Sequence, residues 1–198
     1  MERYLPTLAT LLLGHLLGDF PLQTNQIYRW KLQGNLGILI HVVIHVAVTM
    51  LLLRNVSAAW LLLILLGSGH FIIDWLKLRL PTRPQTPGFI LDQIAHLIWL
   101  IGLSLSRPDL QPRLPLDFIY LALLWGVIPV TIMLIWVVTG DIEVAQPDFA
   151  YKKIRPSLLR WAQGLGYLLI AGIIIFTGIV FWFNKGWVLA ILSLIFVD

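Results

Sequence analysis

The stretch SAAWLLLILLGSGHFIIDWL, residues 57–76, is twenty residues long and has only two ionisable side chains, His70 and Asp74. A twenty-residue helix is about 30 Å long, which matches the hydrocarbon core of a bilayer. Ionisable groups are costly in that environment and usually mark a functional site. The stretch therefore predicts a membrane-spanning helix that carries a functional histidine and aspartate.

The rest of the chain has the same apolar character. Hydrophobic residues make up 59% of it, charged residues 12%, and the mean hydropathy is +0.86, which is outside the range of soluble domains. We predict an all-α, polytopic helical membrane protein with six transmembrane helices. The predicted spans are residues 5–23, 35–54, 57–76, 88–106, 117–139 and 162–183. A seventh apolar run, 186–197, is short for a span and is expected to be tilted, half-inserted or at the interface.

Basic residues predict the orientation in an inner (plasma) membrane. Nine of them follow the first, third and fifth spans, and five lie on the opposite side. By the positive-inside rule the first group faces the cytoplasm and the N-terminus faces out. We expect the first apolar run to be retained, because it contains ionisable residues and lacks a signal-peptide cleavage site. The nine are Arg29, Lys31, Lys77, Arg79, Arg83, Lys152, Lys153, Arg155 and Arg160, and the five are Arg3, Arg54, Arg107, Arg113 and Lys185.

All five histidines lie in apolar runs, and each has an aspartate or a histidine four residues away. Four residues advance about 6 Å along a helix and a little over one turn, so each couple points to one side. In an up-and-down bundle all the couples also lie at a common depth, below the basic loops. We therefore predict one intramembrane site near the cytoplasmic face. The couples are His15/Asp19, His41/His45, His70/Asp74 and Asp92/His96.

The histidines divide the chain into two parts. Residues 1–106 contain all of them and form the predicted four-helix His/Asp-bearing unit. Three prolines in 107–116 indicate a turn after it. Residues 107–198 are expected to add C-terminal membrane helices, with a polar loop at about 140–160.

Imidazoles and carboxylates on facing helices are typical of metal sites in helical bundles. The chain has no cysteine, so only nitrogen and oxygen donors are available, and zinc is the first expectation, with manganese or iron as alternatives. Either two ions bind, or one ion binds and the remaining aspartates orient the imidazoles. The predicted ligands are His15, His41, His45, His70, His96, Asp19, Asp74 and Asp92, and the three aspartates are also the catalytic candidates.

A divalent ion in such a site activates water as a nucleophile near neutral pH. Close to lipid headgroups, this chemistry suits a metal-dependent hydrolase acting on a lipid or isoprenoid-phosphate-like substrate. Membrane lipid is the expected partner, whereas the net charge of +4 lies in loops and does not indicate nucleic acid. The predicted substrate-binding residues are Gln23, Lys31, Lys77 and Gln93, for which the simpler interpretation is interfacial anchoring by the lysines and contact between helices by the glutamines.

The motif set resembles a bacterial integral membrane family known as domain of unknown function 3307. The resemblance covers about residues 10–100 and rests on HLLGDFPLQ at 15–23, HFIID at 70–74 and DQIAH at 92–96, together with Lys31, His41, His45 and Lys77. That family has no established activity. A looser likeness to membrane-bound metal-dependent hydrolases, which share intramembrane His/Asp motifs, implies hydrolysis.

Two other classes of protein are compatible with the same residues. A metal-ion or proton transporter uses alternating His and Asp side chains as a relay, but it needs donors along the whole depth of the membrane. In a non-catalytic sensor or assembly protein, each couple would be a polar contact between helices. This interpretation explains four couples at one depth less well.

Overall fold

A computed structural model of the chain describes residues 2–80, 83–146 and 155–184, and within these ranges it forms helices and loops without a named strand. Two short 3-10 helices, Glu2–Tyr4 and Ser57–Ala59, precede the first and fourth α-helices. The all-α fold is therefore confirmed. The α-helices are α1 (Leu5–Asp19), α2 (Asn25–Gln33), α3 (Asn35–Leu52), α4 (Trp60–Arg79), α5 (Gln85–Ser106), α6 (Leu116–Ala145) and α7 (Arg155–Asn184).

Five of the helices, α3 to α7, are long and apolar enough to cross a membrane. They match the second to sixth predicted spans. The 3-10 turn before α4 extends that candidate span to Ser57–Arg79, close to the stretch first singled out in the sequence. The seventh apolar run, 186–197, lies outside the described residues.

The first predicted span was too long. It was expected to cover residues 5–23, but α1 ends at Asp19 after 15 residues, a length of about 22 Å against a core of about 30 Å. Pro21 accounts for the early end, because proline has no amide hydrogen with which to continue the helix. The last helical hydrogen bond runs from the amide of Phe20 to the main-chain oxygen of Leu16, at 3.2 Å.

A short helix that was not predicted, α2, follows this turn. Its N-terminus is capped by Thr24, whose hydroxyl accepts a hydrogen bond from the amide of Ile27 at 3.3 Å. It ends at Gly34, whose φ of 152° is in the region that favours glycine. Both signals are visible in the sequence, but the stretch between them is too polar for a span.

Residues 140–160, where the polar loop is expected, lie partly outside the described ranges. Helix α6 continues to Ala145, and α7 begins at Arg155. Only residues 146–154 separate the two helices, and 147–154, which include Asp148, Lys152 and Lys153, lie outside the described residues.

Helix α1 holds a central position. It packs against α3, α5 and α6, while α3 packs on α4, α4 on α5, and α6 on α7. Two apolar clusters stabilise this arrangement, one between α1, α4 and α5 and the other between α1, α3, α6 and α7. The four helices that carry the His/Asp couples are therefore neighbours.

Candidate functional site

The four couples converge, as their spacing and depth predicted. Each comes from a different helix: His15/Asp19 from α1, His41/His45 from α3, His70/Asp74 from α4 and Asp92/His96 from α5. All five histidines are buried, with exposed fractions between 0% and 9%. Three overlapping groups of donors have ligand atoms within 4.8 Å of one another. These groups are Asp19/His41/His45/His70, His15/His70/His96 and Asp74/Asp92/His96.

Asp19, the last residue of α1, is at the centre of the largest group. Its Oδ1 lies 2.9 Å from Nε2 of His45, 3.0 Å from Nε2 of His41 and 3.7 Å from Nε2 of His70. In a tetrahedral zinc site with bonds of about 2.0–2.1 Å, neighbouring donor atoms are about 3.3 Å apart. The three measured distances lie on either side of that value, so these residues fit a divalent transition metal.

The other two aspartates are paired with lysines. Nζ of Lys31 lies 2.8 Å from Oδ2 of Asp74, and Nζ of Lys77 lies 2.6 Å from Oδ2 of Asp92. Both carboxylates are only 3% exposed, and ions this deeply buried need a partner of opposite charge. Asp19 differs, because no lysine or arginine of the described residues forms an ion pair with it.

The predicted glutamines join these groups into one network. Gln93 donates from Nε2 to Oδ2 of Asp19 at 3.3 Å and to Oδ2 of Asp92 at 3.1 Å. Gln23, in the turn after α1, accepts a hydrogen bond from Nζ of Lys31 at 3.0 Å. All twelve predicted site residues are thus brought together. Both lysines among them already have a carboxylate partner.

Several imidazole nitrogens are buried without a hydrogen-bond partner among the described residues. They include both nitrogens of His15, Nδ1 of His41, Nε2 of His70 and Nε2 of His96. A buried polar atom in this state is costly unless it binds something else. The rings also lie close together, with the centroids of His45 and His70 3.8 Å apart and their planes tilted by 35°. Each neutral ring has a lone pair on one of its two nitrogens, so this set of rings offers donors for a cation.

Sequence reasoning missed Gly18. A Cβ atom added there would lie 2.5 Å from Nε2 and 2.6 Å from Nδ1 of His45, so only glycine lets this ring lie against α1. The residue is visible in the sequence as the neighbour of Asp19, but its role depends on how α3 crosses α1. The partners within the site were also unpredicted, since Asp19 is closer to the α3 histidines than to His15, which is 3.5 Å away.

Leucines lie on one side of the site on three of its four helices. Leu11, Leu66 and Leu100 each lie four residues from a site histidine on the same helix, on the side away from the basic loops. All three are at most 3% exposed and belong to one apolar cluster. The polar network therefore faces an apolar layer in one direction and the partly exposed Lys77 in the other.

Comparison with known proteins gives one relationship. A family model described as a protein of unknown function, DUF3307, matches residues 7–125, a range that contains every site residue and extends into α6. No match was found among curated proteins or among solved structures. Because the family model covers more than half of the chain, the protein belongs to the DUF3307 family.

Proposed function

We propose that this protein is an integral membrane metal-dependent hydrolase, with zinc as the first candidate ion and a lipid or isoprenoid-phosphate-like substrate. Membrane insertion is supported by five apolar helices of spanning length. It is also supported by large apolar side chains on their outer faces, such as Leu51, Ile98 and Leu124, which are 65–69% exposed. An apolar exterior of this extent is typical of a protein surrounded by lipid.

The observation that carries the metal proposal is the group Asp19/His41/His45/His70. Three helices bring its ligand atoms within 4.8 Å of one another, and its carboxylate forms no ion pair with a lysine or arginine of the described residues. A divalent ion would compensate that buried charge and would occupy the nitrogen lone pairs. Manganese and iron use the same donors, so the metal analysis has to include them.

Asp92 is the carboxylate best placed to act as general base. Its Oδ2 accepts hydrogen bonds from Lys77 and Gln93, which fixes the group. Its Oδ1 is buried and has no hydrogen-bond partner among the described residues, so this oxygen is available to accept a proton from water. Asp74 has a different role in this proposal, because its pairing with Lys31 orients the carboxylate beside His41 and His70.

The proposed reaction is hydrolysis of a phosphate ester. The oxygen of water forms a bond to phosphorus, the bond between phosphorus and the ester oxygen breaks, and the leaving alcohol oxygen takes up a proton. The bound ion supplies electrostatic stabilisation of the phosphate oxygens and activation of the water. Lys77, whose side chain is 36% exposed, supplies positive charge at the rim where a headgroup would enter.

The leucine layer favours hydrolysis over transport. A transporter needs a polar path through the membrane, whereas Leu11, Leu66 and Leu100 place apolar side chains on the far side of the site on α1, α4 and α5. The network from Asp19 through Gln93 to Asp92 and Lys77 reaches one side of the bundle and could carry protons only there. The transporter remains the alternative hypothesis for the experiment below.

The experiment compares metal content and turnover in detergent-purified protein. We expect His41→Ala to lower the metal content, because His41 is one of the four central donors. Asp92→Asn should keep the ion and lower the release of inorganic phosphate from lipid or isoprenoid phosphates by roughly 10²–10⁴-fold, the usual contribution of a general base. Asp117→Asn, an exposed carboxylate at the start of α6, is the matched control and should change neither quantity.

Two results would overturn the proposal. If purified wild-type protein contained no transition metal, the proposed metal site would be wrong. A metal-loaded protein whose phosphate release does not respond to Asp92→Asn would remove the hydrolase, and ion flux in proteoliposomes that His41→Ala abolishes would establish the transporter instead.

A further inference from the structure

His96 is held in one tautomer. Its Nδ1 lies 2.9 Å from the main-chain oxygen of Asp92, and because a carbonyl oxygen only accepts hydrogen bonds, Nδ1 carries the hydrogen. The other nitrogen, Nε2, therefore has a lone pair in the neutral ring. This Nε2 is buried, has no hydrogen-bond partner among the described residues, and belongs to a side chain that is 1% exposed. The lone pair on Nε2 of His96 is therefore available to bind a cation.

Two more histidines face the same point. His15 has neither nitrogen hydrogen-bonded within the described part of the chain, and Nε2 of His70 is in the same state. The ring of His96 is 4.7 Å from that of His15 and 4.3 Å from that of His70. One ligand atom from each of the three lies within 4.8 Å of the others. Helices α1, α4 and α5 thus form a second group of donors beside the first.

Asp19 lies between the two groups. Its Oδ1 faces His41 and His45 on α3, at 3.0 and 2.9 Å. Its Oδ2 faces His15, at 3.5 Å from Nε2, and also accepts a hydrogen bond from Gln93 at 3.3 Å. Nε2 of His70, from the second group, lies 3.7 Å from Oδ1. A carboxylate with one oxygen toward each of two donor groups is suited to bridging a pair of ions, which in two-metal sites are about 3.5–4 Å apart.

We infer that the centre is binuclear: Asp19, His41 and His45 hold one ion, His15, His70 and His96 hold a second, and Asp19 bridges them. The inference rests on the proposed function and specifies its metal site. It leaves Asp74 and Asp92 outside the ligand set, consistent with their ion pairs to Lys31 and Lys77. Counting Asp19 in both sets, the first ion has three protein donors and the second has four, so an open coordination position of the kind found in catalytic zinc sites would lie at the first ion.

The test measures stoichiometry and magnetic coupling in the full chain, loaded with Zn²⁺ or Mn²⁺ alone in detergent. Wild-type protein should bind two ions per chain, and the Mn²⁺ form should give the electron paramagnetic resonance spectrum of a coupled pair. His96→Gln and His41→Gln should each reduce the ratio to one and abolish the coupling. Asp117→Asn should retain two coupled ions.

The outcomes separate this inference from the proposed function. One ion per chain in the wild type, lost in His41→Gln and retained in His96→Gln, would overturn the second site and leave the first intact. Two ions without magnetic coupling would overturn the bridge. No bound ion in the wild type would overturn both proposals. If His96→Gln fails to fold, His15→Gln tests the same ion, and the stoichiometry and spectrum of the wild type are decisive without any variant.

Discussion

At the scale of single residues, the site depends on a close approach of α1 and α3. Gly18 allows the His45 ring to lie directly on the α1 backbone, and this contact brings Nε2 of His45 to 2.9 Å from Asp19. Overpacking at such a position typically costs about 1–3 kcal/mol. The Cβ of an alanine would meet the ring itself, so the ring has to move.

Gly18→Ala should therefore lower both stability and metal content. We expect a loss of about 1–3 kcal/mol in the free energy of unfolding and at least a tenfold weaker affinity for Zn²⁺, measured in detergent. Gly102→Ala is the control, because a Cβ there meets no atom within 4 Å, and alanine favours helix by about 1 kcal/mol over glycine. Unchanged metal affinity in Gly18→Ala would show that the His45 position is not needed for binding.

At the scale of elements, the short helix α2 contributes a buried cation. Tyr28, Trp30 and Leu32 on this helix are 38–57% exposed, whereas Lys31 is buried and reaches Gln23 and Asp74. A helix with aromatic residues outward and a buried charged contact inward suits the membrane interface. The Lys31–Asp74 ion pair therefore connects α2 to α4.

Lys31→Met should leave the Asp74 carboxylate buried without a lysine. Removing one partner of a buried ion pair costs about 3–5 kcal/mol, so unfolding in mixed micelles should show a loss of that order. The double variant Lys31→Met/Asp74→Asn should recover part of it. Arg29→Met, an exposed residue on the same helix, is expected to change stability by less than about 0.5 kcal/mol. If Lys31→Met behaved like Arg29→Met, the ion pair would not stabilise the fold.

At the scale of the whole molecule, the basic loops predict which end of the bundle faces the cytoplasm. The connections from α1 to α3 and from α4 to α5 lie at the end where the His/Asp network meets Lys77. The opposite end includes the 107–115 turn, where Arg107 donates to Asp109 at 2.9 Å. The orientation therefore decides from which side a substrate or ion reaches the site.

Two single-cysteine variants can test this orientation, because the natural chain has no cysteine. The first variant is Gln85→Cys, at the first residue of α5, and the second is Gln111→Cys, in the turn between α5 and α6. Both positions are exposed. In intact cells, an impermeant thiol reagent should label Gln111→Cys and not Gln85→Cys. The reverse pattern would place the site at the outer face. If neither cysteine were labelled until the membrane was disrupted, the 107–115 turn would not be exposed on the outside of the cell.

The amino-acid sequence by itself determined the helical fold and indicated which polar residues lie together in the cluster. Apolar length and four-residue spacing are local properties, and the 3.6-residue period of a helix converts them directly into predicted spans and one-sided couples. For that reason His70/Asp74 and the three other couples could be assigned to one cluster, and α3 to α7 could be located, before any coordinates were considered.

Only the tertiary structure decided which side chains are partners. Asp19 lies closer to His41 and His45 than to His15, and Asp92 is paired with Lys77, although the spacing had suggested couples within each helix. The distances between atoms on different helices depend on where α1 ends, how α3 crosses it at Gly18, and how each helix is rotated about its axis. These quantities arise from packing between distant parts of the chain, so no local pattern encodes them.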